Sequence, residues 1–231
     1  MPRSTWNLGL TDANVPRGTL LSESLQRARR LLESGLSELG IELRPGAVDA
    51  LIDLAELLAA WSQRMNLTAH REPESIVSRL ILDAAALERV LPEAGRIVDL
   101  GSGAGFPGLP LAVLRPDAEI VLVEAREKRH HFQRAAIRRA ALENVLPVRG
   151  RAEEVAPLAS PLVVAQALAA PTDALELAIR WAAVGGWIAL PGSPSSEDPT
   201  PRPEIVASGR LVYRVPGEGP ERTVWLGRRL G

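Results

Sequence analysis

Apolar residues recur at helical spacing through the first part of the chain. Leu25, Ala28, Leu32, Leu36 and Leu39 fall on one face of the stretch 22–39, and Gly40 is a natural stop. Val48, Leu51, Ile52, Ala55, Leu58 and Ala59 predict a second helix, opened by Pro45 and running to about Trp61. After a polar break, SQRMNLTAHREPES, Pro73 starts a third helix through Ile76, Val77, Leu80, Ile81 and Ala84 to about Val90. From Arg96 the pattern changes. Short apolar runs predict strands at 96–100, 119–124, 145–149, 162–166 and 186–190. Helical stretches separate them at about 107–114, 127–142, 152–158 and 171–183. Strand and helix in alternation imply an α/β fold with a mainly parallel, doubly wound sheet. The Pro/Ser-rich segment 192–203 reads as a mobile loop, and Arg210–Val215 with Thr223–Leu226 as a final antiparallel pair. The expected organisation is a flexible N-terminus (1–18), a helical extension (19–92) and an α/β domain (93–231).

Composition narrows the chemistry. The chain has 231 residues, 46% of them apolar, enough for a sizeable core. It lacks cysteine, which excludes disulfides, thiolate catalysis and cysteine-held metals and fits a cytoplasmic protein. With three histidines, two of them adjacent (His130, His131), no metal site is expected. No apolar run is long enough to span a bilayer, and the N-terminus shows no signal peptide. The net charge is −1, so any contact with nucleic acid must come from a local patch.

The stretch RIVDLGSGAGFPG (96–108) concentrates the candidate chemistry. A short apolar strand runs into Gly101, Gly103 and Gly105, and Pro107 suits the first turn of a helix. Strand, glycine loop and helix form the first half of a nucleotide-binding unit, and the 93–231 domain reads as Rossmann-like. Gly103-Ala104-Gly105-Phe106-Pro107-Gly108 satisfies G-x-G-x-x-G, and Glu124 lies where a dinucleotide site places its ribose-binding acid, so an NAD-dependent oxidoreductase is one reading. The other is S-adenosylmethionine. Asp99 ahead of the glycines would repel a pyrophosphate but suits a ligand with an amino group. Glu124, ending the second strand, can accept from both ribose hydroxyls, and Arg151-Ala152-Glu153-Glu154 can meet an adenine edge.

The residues Asn66-Leu67-Thr68, Arg79-x-x-x-Asp83, DLGSGAGFPGLPLAVLRPDAEIVLVEAREKR and GRAEE together resemble the RsmG (GidB) family of bacterial methyltransferases acting on 16S ribosomal RNA. The resemblance covers about residues 60–156 well. It implies a class I methyltransferase fold, S-adenosylmethionine as methyl donor and guanine N7 as acceptor, with 16S ribosomal RNA or the small subunit as partner; separately, a monomer is expected. The cofactor contacts it implies are Gly101, Phe106, Glu124, Ala152 and Glu153; Asp99, Gly103, Gly105 and Gln166 join them as candidates. Guanine N7 carries a free lone pair, so orientation rather than a base carries the chemistry.

Several positions depart from the family pattern. Leu80 and Ala84 stand in the third helix where the family has His and Ser; Gln166 replaces an arginine; Pro191 replaces a lysine; and Arg222-Thr223 replaces Arg-His. Gln166 and Arg222 are the candidate catalytic positions. The departures motivate an alternative, a relative that binds S-adenosylmethionine or RNA without catalysis. Candidate RNA contacts are Asn66, Arg79 and Asp83, with Lys128, Arg129, Arg134 and Arg138 on the helix after the second strand.

Overall fold

The computed structural model describes residues 22–231; the stretch 1–18, expected to be loose, lies outside them. Helices α1 (Glu23–Glu38) and α2 (Ala47–Ser62) lead to α3 (Pro73–Ile76), which continues through a π-helical stretch (Val77–Ile81) into α4 (Leu82–Glu88). Then come β1 (Arg96–Leu100), α5 (Gly108–Leu114), β2 (Glu119–Glu124), α6 (Glu127–Arg139), β3 (Val145–Arg149), β4 (Ser160–Val164), α7 (Pro171–Trp181), β5 (Ala182–Gly192), β6 (Ile205–Arg214) and β7 (Glu221–Arg229).

The strands form one sheet in the order β3-β2-β1-β4-β5-β7-β6. The first five are parallel, and β7 runs antiparallel to both β5 and β6. The mainly parallel sheet and the final antiparallel pair thus agree with the sequence pattern. Central strands are buried on both faces, and their side chains alternate between two cores. Ile97, Ile120, Leu122, Leu162 and Val164 face a core shared with α1, α2, α5 and α6. Val98, Leu100, Val121, Val163 and Ile188 face α7 through Ala174, Leu175, Ala178 and Trp181. The N-terminal helices therefore share a core with one face of the sheet. Trp61 of α2 meets Phe132 of α6 edge-on, with ring centroids 5.5 Å apart, and Arg139 of α6 pairs with Asp53 and Glu56 of α2.

Three expectations are corrected. No helix forms at 152–158: Glu154 and Val155 N–H both donate to the Arg151 carbonyl in a single turn. Pro157 and Pro161 follow, and the residue before a proline is pushed out of helical conformation. Strand β4 begins two residues earlier than expected, with Pro161 at a bulge where a missing N–H costs no ladder bond. It ends at Val164, which leaves Gln166 just beyond the strand. Strand β5 is longer than 186–190, but its regular pairing with β4 starts only at Trp187, after Gly185 at φ +77°. Segment 193–204 is irregular, yet tied down: Arg210 pairs with Asp198, and Thr200 N–H donates to Thr172 Oγ1 at 2.9 Å. Among the described residues no helix is long and apolar enough to cross a membrane.

Candidate functional site

The ends of β1, β2, β3 and β4 lie side by side at the carboxyl edge of the parallel strands, the ligand crevice of such sheets. Gly101, Gly103 and Gly105 follow β1 with φ of +67°, +60° and +86°. This left-handed backbone is costly for residues with a Cβ. At Gly101 a Cβ would collide with Leu168, and at Gly105 with Leu109; at Gly103 the nearest heavy atom would be 3.8 Å away. The loop is therefore packed tightly at its two ends and open at its middle.

Asp99 sits under this loop and is 1% exposed. Its Oδ2 accepts from the Gly108 N–H at the start of α5, at 3.0 Å. Its Oδ1 is buried without a hydrogen-bond partner among the described residues. Burial, followed by the nearby Glu124 carboxylate, pushes its pKa from 3.8 up to about 7 against the opposing Gly108 bond. Glu124, at the end of β2, accepts from Gly103 N–H at 2.9 Å and Arg126 N–H at 2.6 Å, with Arg129 at 3.8 Å. Ala152 is buried, and its carbonyl accepts from Trp181 Nε1 at 3.1 Å. Glu153 is exposed beside Arg151.

A cavity of about 280 Å³ opens over the loop, lined by Gly101, Gly103 and Phe106 on one wall and Leu80, Asp83 and Gln166 on the other. Asp99, Glu124, Ala152 and Glu153 lie outside this lining, beneath the loop or toward β3. Asp83, on α4, is 5% exposed. Tyr213 Oη donates to its Oδ1 at 3.2 Å, Arg222 Nη2 lies 3.4 Å from its Oδ2, and Gln166 also hydrogen-bonds it. Burial raises the Asp83 pKa, with Arg222 as the main opposing influence; burial and then Asp83 raise that of Tyr213. A larger cleft, about 640 Å³, lies beside Arg115 and Asp117 at the opposite edge of the sheet, away from the glycine loop.

The proposed RNA contacts separate in space. Asn66, Lys128 and Arg129 line one cleft, with Asn66 accepting from Arg71 at 3.3 Å. Arg79 is exposed on the π-helical stretch, while Asp83 is buried. Arg134 and Arg138 lie further along α6. Two residues escaped the sequence reading. Gln133, fully buried, donates through Nε2 to Ser102 Oγ at 2.8 Å and Gly103 carbonyl at 2.9 Å, bracing the loop from α6. A glutamine between Phe132 and the buried Ala135–Ala136 pair was its only signal. Tyr213 gave none, since its partner Asp83 is far away in sequence.

The NAD reading fails at the helix. A pyrophosphate would need the N-terminal N–H groups of α5, and Asp99 already occupies that of Gly108. The family model described as "rRNA small subunit methyltransferase G" (GidB) matches residues 47–212. The chain belongs to this family. Its relatives of that name include one from Chromohalobacter salexigens, 36% identical over 200 residues (86% of this chain, 96% of the relative). Another is from Halorhodospira halophila, 34% identical over 201 residues (81% and 90%). Among solved structures, a putative O-methyltransferase from Klebsiella pneumoniae superposes with a TM-score of 0.53 at 16% identity, over 90% of this chain and 99% of its own. M. jannaschii TYW2 in complex with AdoMet gives 0.50 at 16% identity, over 64% and 74%. The fold is that of the class I methyltransferases.

Proposed function

We propose that this chain transfers a methyl group from S-adenosylmethionine to N7 of a guanine in 16S ribosomal RNA. The observation that carries the reading is the glycine loop, with its open middle facing the cavity and a buried, half-satisfied Asp99 behind it. The residues fit the donor. The orphaned Oδ1 of Asp99 calls for a hydrogen-bond donor such as an ammonium, and Glu124 keeps lone pairs for ribose hydroxyls. Gly101, Gly103, Gly105 and Phe106 shape the floor, and Ala152, Glu153 and Gln166 flank it. Bound S-adenosylmethionine supplies an electrophilic methyl on a positively charged sulfur. Guanine N7 has no proton to lose, so Asp83, Gln166 and Arg222 serve to orient the base rather than to take a proton. Residues 93–231 hold the donor, and the helices before them form the RNA-facing side. The protein acts as a cytoplasmic monomer without a metal.

Calorimetry with S-adenosylhomocysteine and with NAD tests the donor, and labelled methyl transfer to small ribosomal subunits tests the reaction. We expect homocysteine-ligand binding, no NAD binding, and label in the RNA. NAD binding alone would overturn the reading; ligand binding without methyl transfer would favour the non-catalytic alternative that the departures motivate.

A further inference from the structure

Many of the described arginines face a carboxylate. Arg27 and Arg29 of α1, Arg44, Arg96, Arg115 and Arg139 each pair with an Asp or Glu. The cleft beside the candidate site gathers several cations that do not. It measures about 580 Å³ and runs between the α2–α3 connection and the start of α6. Arg64 and Arg71 lie on the first wall, Arg126, Lys128 and Arg129 on the second. Arg64, Arg71, Arg126 and Lys128 form no ion pair with a carboxylate among the described residues; Arg71 is held only by the neutral Asn66 side chain. The one acid in the lining, Glu127, already faces Arg149 at 3.3 Å. The field along α6 is accordingly positive. After burial, Arg134, His131 and Arg149 are what hold the His130 pKa below its ordinary value.

The cleft and the 280 Å³ cavity share Leu67 and Arg129. A chain lying in one therefore reaches the other without leaving the surface. Guanidinium groups without a carboxylate partner on both sides of a cleft suit the evenly spaced phosphates of a nucleic-acid backbone. We propose that this cleft is the track for single-stranded RNA, with Arg64, Arg71 and Lys128 contacting phosphates so that the neighbouring base enters the cavity over the glycine loop. The proposal rests on the RNA methyltransferase reading and adds the path of the strand. It assigns Arg64 and Arg71, which the sequence pattern left out, and confines the RNA face on α6 to its start.

The test is the salt dependence of binding to a short fluorescein-labelled single-stranded RNA, followed by anisotropy. Each phosphate contact on single-stranded nucleic acid contributes about 0.7 to the slope of log K against log salt. The triple variant Arg64→Ala/Arg71→Ala/Lys128→Ala is expected to lower that slope by about 2. The variant Arg30→Ala/Arg89→Ala, which removes two exposed arginines elsewhere, should leave it unchanged. Calorimetry with S-adenosylhomocysteine on the same triple variant should match the unaltered protein. An unchanged slope in the triple variant, or an equal fall in the control, would overturn the track. Failure of the unaltered protein to bind S-adenosylhomocysteine would instead strike the function on which it rests.

Discussion

The two walls of the cavity are made in opposite ways. The glycine wall is backbone: left-handed glycines at three alternate positions, with Glu124 holding the Gly103 N–H, Gln133 the Gly103 carbonyl, and Asp99 the Gly108 N–H where the loop enters α5. All of these lie within Asp99–Gln133, one strand–helix–strand–helix run. The facing wall is side chains: Asp83 and Gln166, from α4 and the end of β4, with Tyr213 of β6 and Arg222 of β7 bonded or paired to Asp83 from behind. The first wall forms wherever the local unit forms. The second exists only once the whole sheet has closed, so it is the wall in which a single substitution reaches furthest.

The sharpest way to break this contrast is Arg222→Leu. It strips the cation from a buried carboxylate whose remaining partners are neutral. Removing one partner of a fully buried pair costs about 3–5 kcal/mol; with Arg222 one-third exposed we expect the lower end, about 3 kcal/mol. For a chain of this size that lowers Tm by roughly 6–12 °C. The deficit should shrink in acid, because protonation neutralises Asp83. Thermal melts at neutral and acid pH check both points, and an unchanged Tm would mean the far wall is not held by this pair.

Gly103→Ala probes the near wall with the opposite signature. Its Cβ meets nothing closer than 3.8 Å, so only the left-handed backbone resists it, at about 1–2 kcal/mol. The methyl group projects into the space proposed for the donor. S-adenosylhomocysteine affinity is expected to fall by about tenfold or more, a loss of binding separate from the cost to the fold. Titration calorimetry beside a melt separates the two. If affinity holds, the loop's open middle does not face the ligand.

This division also explains what the sequence revealed. The glycine wall was legible because its parts are close in sequence and each demands a particular residue type: glycine for positive φ, an acid at a strand end. The helices and the parallel strands were legible from periodicity. The helix expected at 152–158 was not, because the apolar spacing of Ala152, Val155 and Leu158 outweighed Pro157, and the proline decides the backbone. The far wall was visible only as isolated polar residues. Asp83 read as a candidate RNA contact because nothing near it in sequence shows Tyr213 or Arg222 converging on it.

Asp99 gives the near wall a pH dependence. Its folded pKa is raised from 3.8 to about 7, so its contribution to stability is present below pH 3.8 and is lost as pH rises through about 7. A ligand that donates to Oδ1 favours the carboxylate. Affinity for S-adenosylhomocysteine should therefore rise by up to about tenfold between roughly pH 6 and pH 8. Asp99→Asn retains a carbonyl oxygen for Gly108 and should give a flat profile across that range. A profile that survives the substitution would assign the titration to another group.

The smallest effect expected is at Gln133, where the helical and backbone parts of the near wall meet. Its Nε2 holds Ser102 Oγ and the Gly103 carbonyl together, while Ser102 also donates to the Val123 carbonyl at 3.3 Å. Gln133→Leu keeps most of the buried volume and removes two hydrogen bonds, worth about 1 kcal/mol each at most, with part returned by the apolar replacement. A Tm loss of only a few degrees is expected. S-adenosylhomocysteine affinity should fall severalfold, since a loosened loop must be ordered again on binding. Equal affinity in Gln133→Leu would show that the glycines hold the loop by themselves; a drop in affinity beyond the drop in stability assigns Gln133 the positioning of Gly103.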